Sequence, residues 1–318
     1  MTRALEPASS HPSVTFIPRS GALSPDILWL EDPVSRDPSI TGGKVAQLAR
    51  LAARYPVPAG FSVTAPAHAT HHDPSDPTRL PPALRDAVAA AYQQLASVAG
   101  TPNPAVAVRS SAVDEDSHQA SFAGQHDTFL NVSGADAVVA AVGRCWVSAQ
   151  ARHVRIYRRQ QGLAVEDSRI AVFVQLMIRS DVSIVAFSAN PVTARRDQIM
   201  VTASWGLGES IVGGTVTPDS WVVNARTGAI DETRIGDKRR MTVMSPDGSA
   251  EIDVPRIMCA MPSLSDEQVR QVATLCSLLQ AESGWPADVE AAFPGGWLYL
   301  LQCRPITTFA LDQTEPAA

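Results

Sequence analysis

The apolar positions predict helices mixed with strands in the first half of the chain. Apolar residues recur at helical spacing from Val45 onward, over Ala83–Ala99, and from Ala135 to about Gln161. Two short β-branched runs, Ala105–Val108 and Thr128–Val132, predict strands between the second and third helices. A polar, proline-rich loop is expected from His68 to Pro82 because turn-forming residues interrupt the pattern there.

From about Arg169 the pattern becomes mainly that of β-strands. Ile170–Met177 and Val182–Ser188 are apolar runs joined by a polar turn, so we expect them to pair as antiparallel neighbours. A helix is predicted over Asp266–Ser283, with Ser265 as its N-cap. Further strands are predicted at Gln198–Ala203, Ser220–Asn224, Ile230–Ile235 and Met241–Val243, with a closing hairpin of Ala287–Ala292 and Trp297–Gln302.

These elements predict an α+β protein with two lobes that meet over a cleft. We expect residues 21–168 to form the N-terminal lobe and residues 169–310 the C-terminal lobe. Residues 1–20 and 311–318 have the Pro-, Ser- and Ala-rich composition of tails.

Composition narrows the class of protein. The 318 residues are 45% hydrophobic, enough for a sizeable core, and the net charge of -6 offers no basic surface for nucleic acid. No apolar run reaches the roughly 20 residues of a membrane span, and the N-terminus lacks the layout of a secretory signal. The four cysteines have no CxxC spacing, which is typical of reduced thiols. We therefore expect a cytoplasmic protein without membrane or nucleic-acid partners.

Residues 108–125 carry the most informative chemistry. Arg109 follows an apolar strand, and hydroxyl groups and a glycine follow in Ser121, Phe122, Ala123 and Gly124. A cation at a strand end, with hydroxyls and backbone amides that can fold over oxygen atoms, suits a polyphosphate. Asp114, Glu115 and Asp116 sit poorly with direct phosphate contact, so we expect them to face solvent, cap a turn or hold a cation.

Lys44 is a second candidate phosphate ligand. Only Lys44 and Lys238 are lysines among 26 basic residues, and Lys44 ends a Thr-Gly-Gly-Lys stretch directly before an amphipathic pattern. Glycines and a lysine at a helix N-terminus suit an anion. The spacing is not that of a Walker A loop. For an isolated Gly-Gly-Lys, an ordinary glycine turn with a solvated lysine is the better interpretation.

The C-terminal hairpin carries a candidate metal site. Asp288 and Glu290 alternate on one strand, as Gln302 and Arg304 do on the facing strand, so all four can share one face. Oxygen ligands suit Mg²⁺, and the arginine can clamp phosphate. The alternative is a surface cross-strand charge pair. Glu209, in a Gly-Leu-Gly-Glu stretch, could hold a cation or a ribose hydroxyl, or cap a helix.

Together these motifs resemble the ATP-binding domain shared by pyruvate phosphate dikinase, phosphoenolpyruvate synthase and rifampicin phosphotransferase. The resemblance covers about residues 21–308. It rests on the motifs GGK, VRSSA…SFAGQ, SANPVT, GLGES, DVE and LQCRPIT in that order. It implies an ATP-grasp-type two-lobed nucleotide-binding fold that uses ATP and Mg²⁺, here as a stand-alone chain.

The resemblance also implies roles for particular residues. Lys44 and Arg109 would contact the ATP phosphates, and Lys44, Arg109 and Arg304 would act in catalysis. Glu290 and Gln302 would hold Mg²⁺. The remaining implied ATP-site residues are Ser121, Phe122, Ala123 and Gly124 over the triphosphate, Gln175, Leu176 and Met177 at the adenine, Glu209, and Asp288 on the metal and phosphate side.

The family's phosphorylatable histidine, which sits on a mobile domain, has no counterpart in this sequence. Ser183 and Ser188 are small departures from the family pattern, and His118 lacks the glycine-rich context of that histidine. We therefore expect transfer of a phosphoryl or pyrophosphoryl group to a histidine on a separate swivelling-domain partner, with AMP as a product. The alternatives are a kinase or ATP-grasp ligase acting on a small-molecule hydroxyl or carboxylate, and a degenerate nucleotide sensor.

Overall fold

A computed structural model describes residues 24–73, 75–113, 128–148, 169–246 and 248–306. In the first half the elements are β1 (Ile27–Trp29), a 3₁₀ turn (Pro33–Arg36), α1 (Pro38–Leu51), β2 (Gly60–Val63), α2 (Ala65–His71), α3 (Pro82–Ala99), β3 (Val106–Ala112), β4 (Thr128–Val132) and α4 (Ala135–Ser148). In the second half they are β5 (Ile170–Leu176), β6 (Val182–Phe187), β7 (Gln198–Trp205), α5 (Glu209–Val212), β8 (Asp219–Asn224), β9 (Ile230–Arg234), β10 (Arg240–Ser245), β11 (Gly248–Asp253), α6 (Asp266–Ser283), β12 (Ala287–Phe293) and β13 (Tyr299–Pro305).

The strands form two main antiparallel sheets. The first has five strands in the order β1-β2-β5-β3-β4, and the second has six in the order β13-β12-β6-β7-β8-β9. Strands β10 and β11 pair with each other in a separate hairpin, and Thr242 of β10 makes an isolated bridge with Gly206. This mixture of helices and antiparallel sheets confirms the α+β class expected from the sequence.

Each sheet buries one face under helices. In the first sheet, Val106 and Val108 of β3 pack with residues of α3 and α4 such as Leu95 and Trp146. In the second sheet, Ile184 of β6 and its neighbours pack against α6. Because side chains alternate along a strand, Ala107, Arg109 and Ser111 of β3 point to the opposite face of the first sheet.

Helix α1 joins the two sheets. Val45, Leu48 and Leu51 belong to the same buried cluster as Leu300 and Cys303 of β13 in the second sheet. Near its start the same helix touches β3 of the first sheet, where Gly42 lies against Ser111. Strands β3 and β13, which belong to different sheets, thus both pack against α1.

The predicted pairing of the strands at 170–177 and 182–188 is wrong. Strand β5 lies between β2 and β3 in the first sheet, whereas β6 lies between β12 and β7 in the second. Both strands are almost wholly buried and therefore need a partner on each side, which a local hairpin does not supply. Hydrogen bonding thus places β5 with the first sheet, although the expected second lobe begins at residue 169.

The predicted helix boundaries can be compared with the observed ones. Helix α6 begins after Ser265, whose hydroxyl accepts a hydrogen bond from the Gln268 amide, which confirms the predicted N-cap. The expected loop from His68 is partly wrong because α2 continues to His71. The continuation of α4 to Gln161 lies outside the described residues. Among the described helices, none combines the length and the apolar character needed to cross a membrane.

Candidate functional site

The Gly-Gly-Lys turn and the Arg109 strand meet in the folded chain. Gly42 has the left-handed torsions φ 76 and ψ 166, so the helix is interrupted just before Lys44. A Cβ on Gly42 would lie 2.2 Å from the carbonyl oxygen of Ser111, which leaves room only for glycine. The Val45 amide donates to the Ser111 hydroxyl over 3.4 Å. Two segments that are 66 residues apart in sequence therefore meet at one point.

Arg109 presents an unused donor on the same strand. Its side chain alternates with those of Val108 and Ser110, so it points away from the core under α3 and α4. The Nε atom of Arg109 is buried and makes no hydrogen bond to any residue that the structure describes. A buried guanidinium donor without a protein acceptor suits a phosphate oxygen.

The C-terminal hairpin has the predicted register. Asp288 lies opposite Arg304 and Glu290 lies opposite Gln302, so the four side chains share one face. The intervening Val289 packs into the core on the other face. The Nε atom of Arg304 donates to Oδ2 of Asp288 over 2.8 Å, and this pair is mostly buried.

Burial shifts the pKa of Asp288. Loss of solvent raises the pKa of the Asp288 carboxyl above its usual value, although the neighbouring Arg304 guanidinium opposes the change and the Glu290 carboxylate adds to it. Its second oxygen, Oδ1, is buried without a hydrogen-bond partner among the described residues. Such a carboxyl favours the arrival of further positive charge.

The donors on this hairpin fit Mg²⁺. Asp288, Glu290 and Gln302 offer carboxylate and carboxamide oxygens, the ligands that this ion takes together with phosphate and water oxygens. Within the described ranges, no three His, Cys, Asp or Glu side chains converge into a metal site. The oxygens of a bound phosphate compound would be needed to complete an Mg²⁺ ligand set built on these three side chains.

The segment Gln175–Met177 lies at the C-terminal end of β5, the central strand of the first sheet. The Leu176 amide donates to Ala59 and the Met177 amide to Ala105, while the Gln175 side chain donates to the Pro58 carbonyl. These donors are engaged within the protein. A purine would therefore meet the carbonyl groups and side chains of this segment rather than its amides.

Glu209 lies in the first turn of α5, and its Oε2 atom is buried without a hydrogen-bond partner in the described part of the chain. The preceding loop is held by β10, since the Leu207 amide donates to the Thr242 carbonyl over 2.7 Å. Gly206 packs so closely on the same carbonyl that a Cβ would lie 2.3 Å from it. The position of Glu209 thus depends on the β10–β11 hairpin.

Asn131 connects that hairpin to the first sheet, a role that no sequence pattern indicated. It sits on β4 with a positive φ of 54, and its side-chain amide donates to the carbonyl groups of Ser245 and Gly248 at the hairpin turn. Its backbone amide contacts the Met177 sulfur. Asn131 thereby links the Gln175–Met177 segment to the hairpin that holds Glu209.

A buried ion pair was also missed. Lys238 and Asp219 are both fully buried, with Nζ 2.5 Å from Oδ1. Asp219 also accepts hydrogen bonds from the Gly236 amide and from both the amide and hydroxyl of Ser263. The scarcity of lysine was the available signal, but it could not identify the partner.

The phosphate loop predicted at Ser121, Phe122, Ala123 and Gly124 lies outside the described residues, as does His118. Six of the other predicted residues form two groups, whereas Gln175–Met177 lie at the end of β5 and Glu209 lies in α5. Lys44 and Arg109 lie where α1 meets the first sheet, and Asp288, Glu290, Gln302 and Arg304 share one face of the last hairpin.

Comparison with known proteins identifies the family. Residues 75–318 match the model of the pyruvate phosphate dikinase AMP/ATP-binding domain. The chain belongs to this family. The resemblance seen in the sequence is thereby confirmed, as is the expectation of an ATP-binding domain.

Curated relatives of this ATP-binding domain are phosphoenolpyruvate synthases. The probable phosphoenolpyruvate synthase of Methanocaldococcus jannaschii is 35% identical over 326 residues, which cover 92% of this chain and 27% of the relative. That of Archaeoglobus fulgidus is 36% identical, over 91% of this chain and 42% of the relative. The phosphoenolpyruvate synthase of Pyrococcus furiosus is 39% identical, over 75% of this chain and 30% of the relative. The domain spans less than half the length of each.

Proposed function

We propose that the chain binds ATP and Mg²⁺ between its two sheets, in the manner of an ATP-grasp fold. The two lobes would be built around the two sheets, with their boundary after Leu176 so that β5 stays with the first. Lys44 and Arg109 would hold phosphate oxygens from one side. Glu290 and Gln302, with Asp288, would hold Mg²⁺ from the other.

One observation carries this proposal: unpaired buried atoms of opposite character occur at the two predicted positions. Arg109 offers a buried donor without an acceptor, and Asp288 offers a buried acceptor without a donor, among the described residues. Leaving either atom unpaired costs about 1–3 kcal/mol, which a bound ligand would recover. Mg²⁺–ATP presents hydrogen-bond acceptors to Arg109 and positive charge to Asp288.

The residues also support a chemical role. Arg109, Lys44 and Arg304 would neutralise the charge that develops on the transferred phosphoryl group, a contribution that a preformed cluster of cations makes well. Bound Mg²⁺ would supply further neutralisation of phosphate charge. Arg304 would stay in place through its hydrogen bond to Asp288.

We propose that a histidine on a separate swivelling-domain partner attacks the β-phosphorus of ATP, takes the β- and γ-phosphates as a pyrophosphoryl group, and releases AMP. The support is the family and the names of its curated relatives, whose greater length leaves room for further domains. The test is product analysis after incubating the purified chain with Mg²⁺ and ATP, with and without the histidine domain of a phosphoenolpyruvate synthase. AMP formed only with that domain would support the proposal. ADP formed with a small-molecule acceptor and no such domain would contradict it.

A further inference from the structure

The break in α1 creates a second helix start beside the predicted phosphate ligands. The helix begins at Pro38, capped by Asp37, but Gly42 leaves helical torsions and the regular turns resume only after it. The first amides of a helical segment lack acceptors within the segment. The segment that carries Lys44 therefore needs a cap from elsewhere in the chain.

Ser111 supplies this cap from another element. Its hydroxyl accepts a hydrogen bond from the Val45 amide, the position directly after Lys44. Ser111 is fully buried, and both its carbonyl oxygen and its hydroxyl lie within 2.3 Å of where a Cβ on Gly42 would be. One serine thus caps the helix segment and also defines the space that the glycine turn occupies.

The same serine belongs to the Arg109 strand. Ser111 and Arg109 are two residues apart on β3, so their side chains point to the same face of the sheet. Ser110, between them, points to the opposite face, and its buried hydroxyl has no hydrogen-bond partner among the described residues. Of these two adjacent buried serines, Ser111 therefore connects β3 to the turn that carries Lys44.

We propose that Ser111 is a positioning residue that holds Lys44 and Arg109 together as one phosphate-binding unit. This inference rests on the proposed function, because it concerns the same ATP site. Without the hydroxyl, the Val45 amide loses its acceptor, and the turn that carries Lys44 keeps only its packing against the β3 backbone. Loss of the hydroxyl should therefore weaken the contacts to the phosphates and leave the contacts to the nucleoside unchanged.

The experiment compares Ser111→Ala with Ser110→Ala, a matched control on the same strand. Calorimetric titration measures the affinity of each variant and of the wild-type chain for Mg²⁺–ATP and for adenosine, and thermal unfolding measures stability. We expect Ser111→Ala to bind Mg²⁺–ATP about 3- to 10-fold more weakly than Ser110→Ala, the loss of one hydrogen bond. Adenosine affinity should be equal in the two variants. Ser111→Cys, which keeps the volume and offers a weaker acceptor, should show the same selective loss if the alanine variant does not fold.

Two outcomes would overturn the inference while leaving the proposed function intact. One is equal Mg²⁺–ATP affinity in the two serine variants. The other is an equal loss of ATP and adenosine affinity in Ser111→Ala, which would indicate a general structural role. If the wild-type chain does not bind Mg²⁺–ATP, the proposed function fails and the inference fails with it.

Discussion

Arg304 donates a 2.8 Å hydrogen bond from Nε to the Oδ2 atom of Asp288, directly across the last hairpin. The pair joins a cation suited to phosphate and a carboxyl suited to a metal ion. Burial raises the pKa of Asp288, and Arg304 restrains that increase. The ability of this carboxyl to bind Mg²⁺ should therefore depend on its arginine partner.

Replacing Arg304 should move the pH dependence of Mg²⁺–ATP binding. Mg²⁺ requires the ionised carboxyl, so affinity should rise with pH as Asp288 loses its proton. In Arg304→Met the pKa of Asp288 is higher still, and the rise should occur at higher pH. Titration calorimetry across a pH series measures this. Arg195→Met, which breaks an exposed pair with Asp197, is the control. An unchanged midpoint in Arg304→Met would contradict the assignment.

Breaking the buried Lys238–Asp219 pair should strongly destabilise the fold. Lys238→Met leaves a fully buried carboxylate without its cation, and such a change costs about 3–5 kcal/mol. The neighbouring Arg239 pairs with Asp237 at the surface, with 79% of its side chain exposed, so Arg239→Met should cost less than about 1 kcal/mol. Urea denaturation compares the two. Equal unfolding free energies would show that the buried pair is dispensable.

His68 should make the fold sensitive to mild acid. Burial, with His72 alongside, lowers the pKa of His68 from 6.5 to about 4, so the folded state holds the ring neutral while the unfolded state binds a proton. This contribution is fully present above the unfolded pKa and is lost as pH falls towards the folded value. Between about pH 8 and pH 5 the loss is roughly 2 kcal/mol.

The variant His68→Phe keeps a ring beside His72 and Trp146 but cannot take up a proton. Denaturation midpoints at several pH values, followed by circular dichroism, should give a flatter curve for the variant than for the wild-type chain. Parallel curves would show that His68 is protonated in the folded state as readily as in the unfolded chain.

Asn131 should hold the β10–β11 hairpin against the first sheet. Asn131→Ala removes both hydrogen bonds to the hairpin turn, so hydrogen exchange in β10 and β11 should become faster. Mg²⁺–ATP affinity should also fall by about 3-fold or more, because the loop before Glu209 is bonded to β10. Asn224→Ala, whose side chain serves a surface turn, is the control. If the exchange rates equal those of the control, Asn131 does not hold the β10–β11 hairpin against the first sheet.

Features that depend on local residue patterns, such as strand register and helix caps, could be predicted from the sequence. The register of Asp288 and Glu290 against Arg304 and Gln302 followed from alternation along two strands joined by a short turn. The cap of α6 at Ser265 followed from residue preferences at helix starts.

Contacts between distant segments could not be predicted in this way. The bonds from Asn131 to the hairpin span 114 and 117 residues, and the contact between Val45 and Ser111 spans 66. The placement of β5 depended on which strands flank it, and an apolar run carries no information about its partners. The sequence therefore indicated candidate site residues but not the contacts that support them.

The most direct test of the account is a calorimetric titration of Mg²⁺–ATP into the wild-type chain and into Arg109→Ala and Arg304→Ala, one variant from each sheet. Arg54→Ala, at a surface arginine with 67% of its side chain exposed, is the control. If one site lies between the sheets, the wild-type chain and the control should bind with equal affinity. Each of the other variants should bind about 10-fold or more weakly, since charge-assisted hydrogen bonds contribute about 1.5–3 kcal/mol. Wild-type affinity in either Arg109→Ala or Arg304→Ala would contradict a site shared by both sheets.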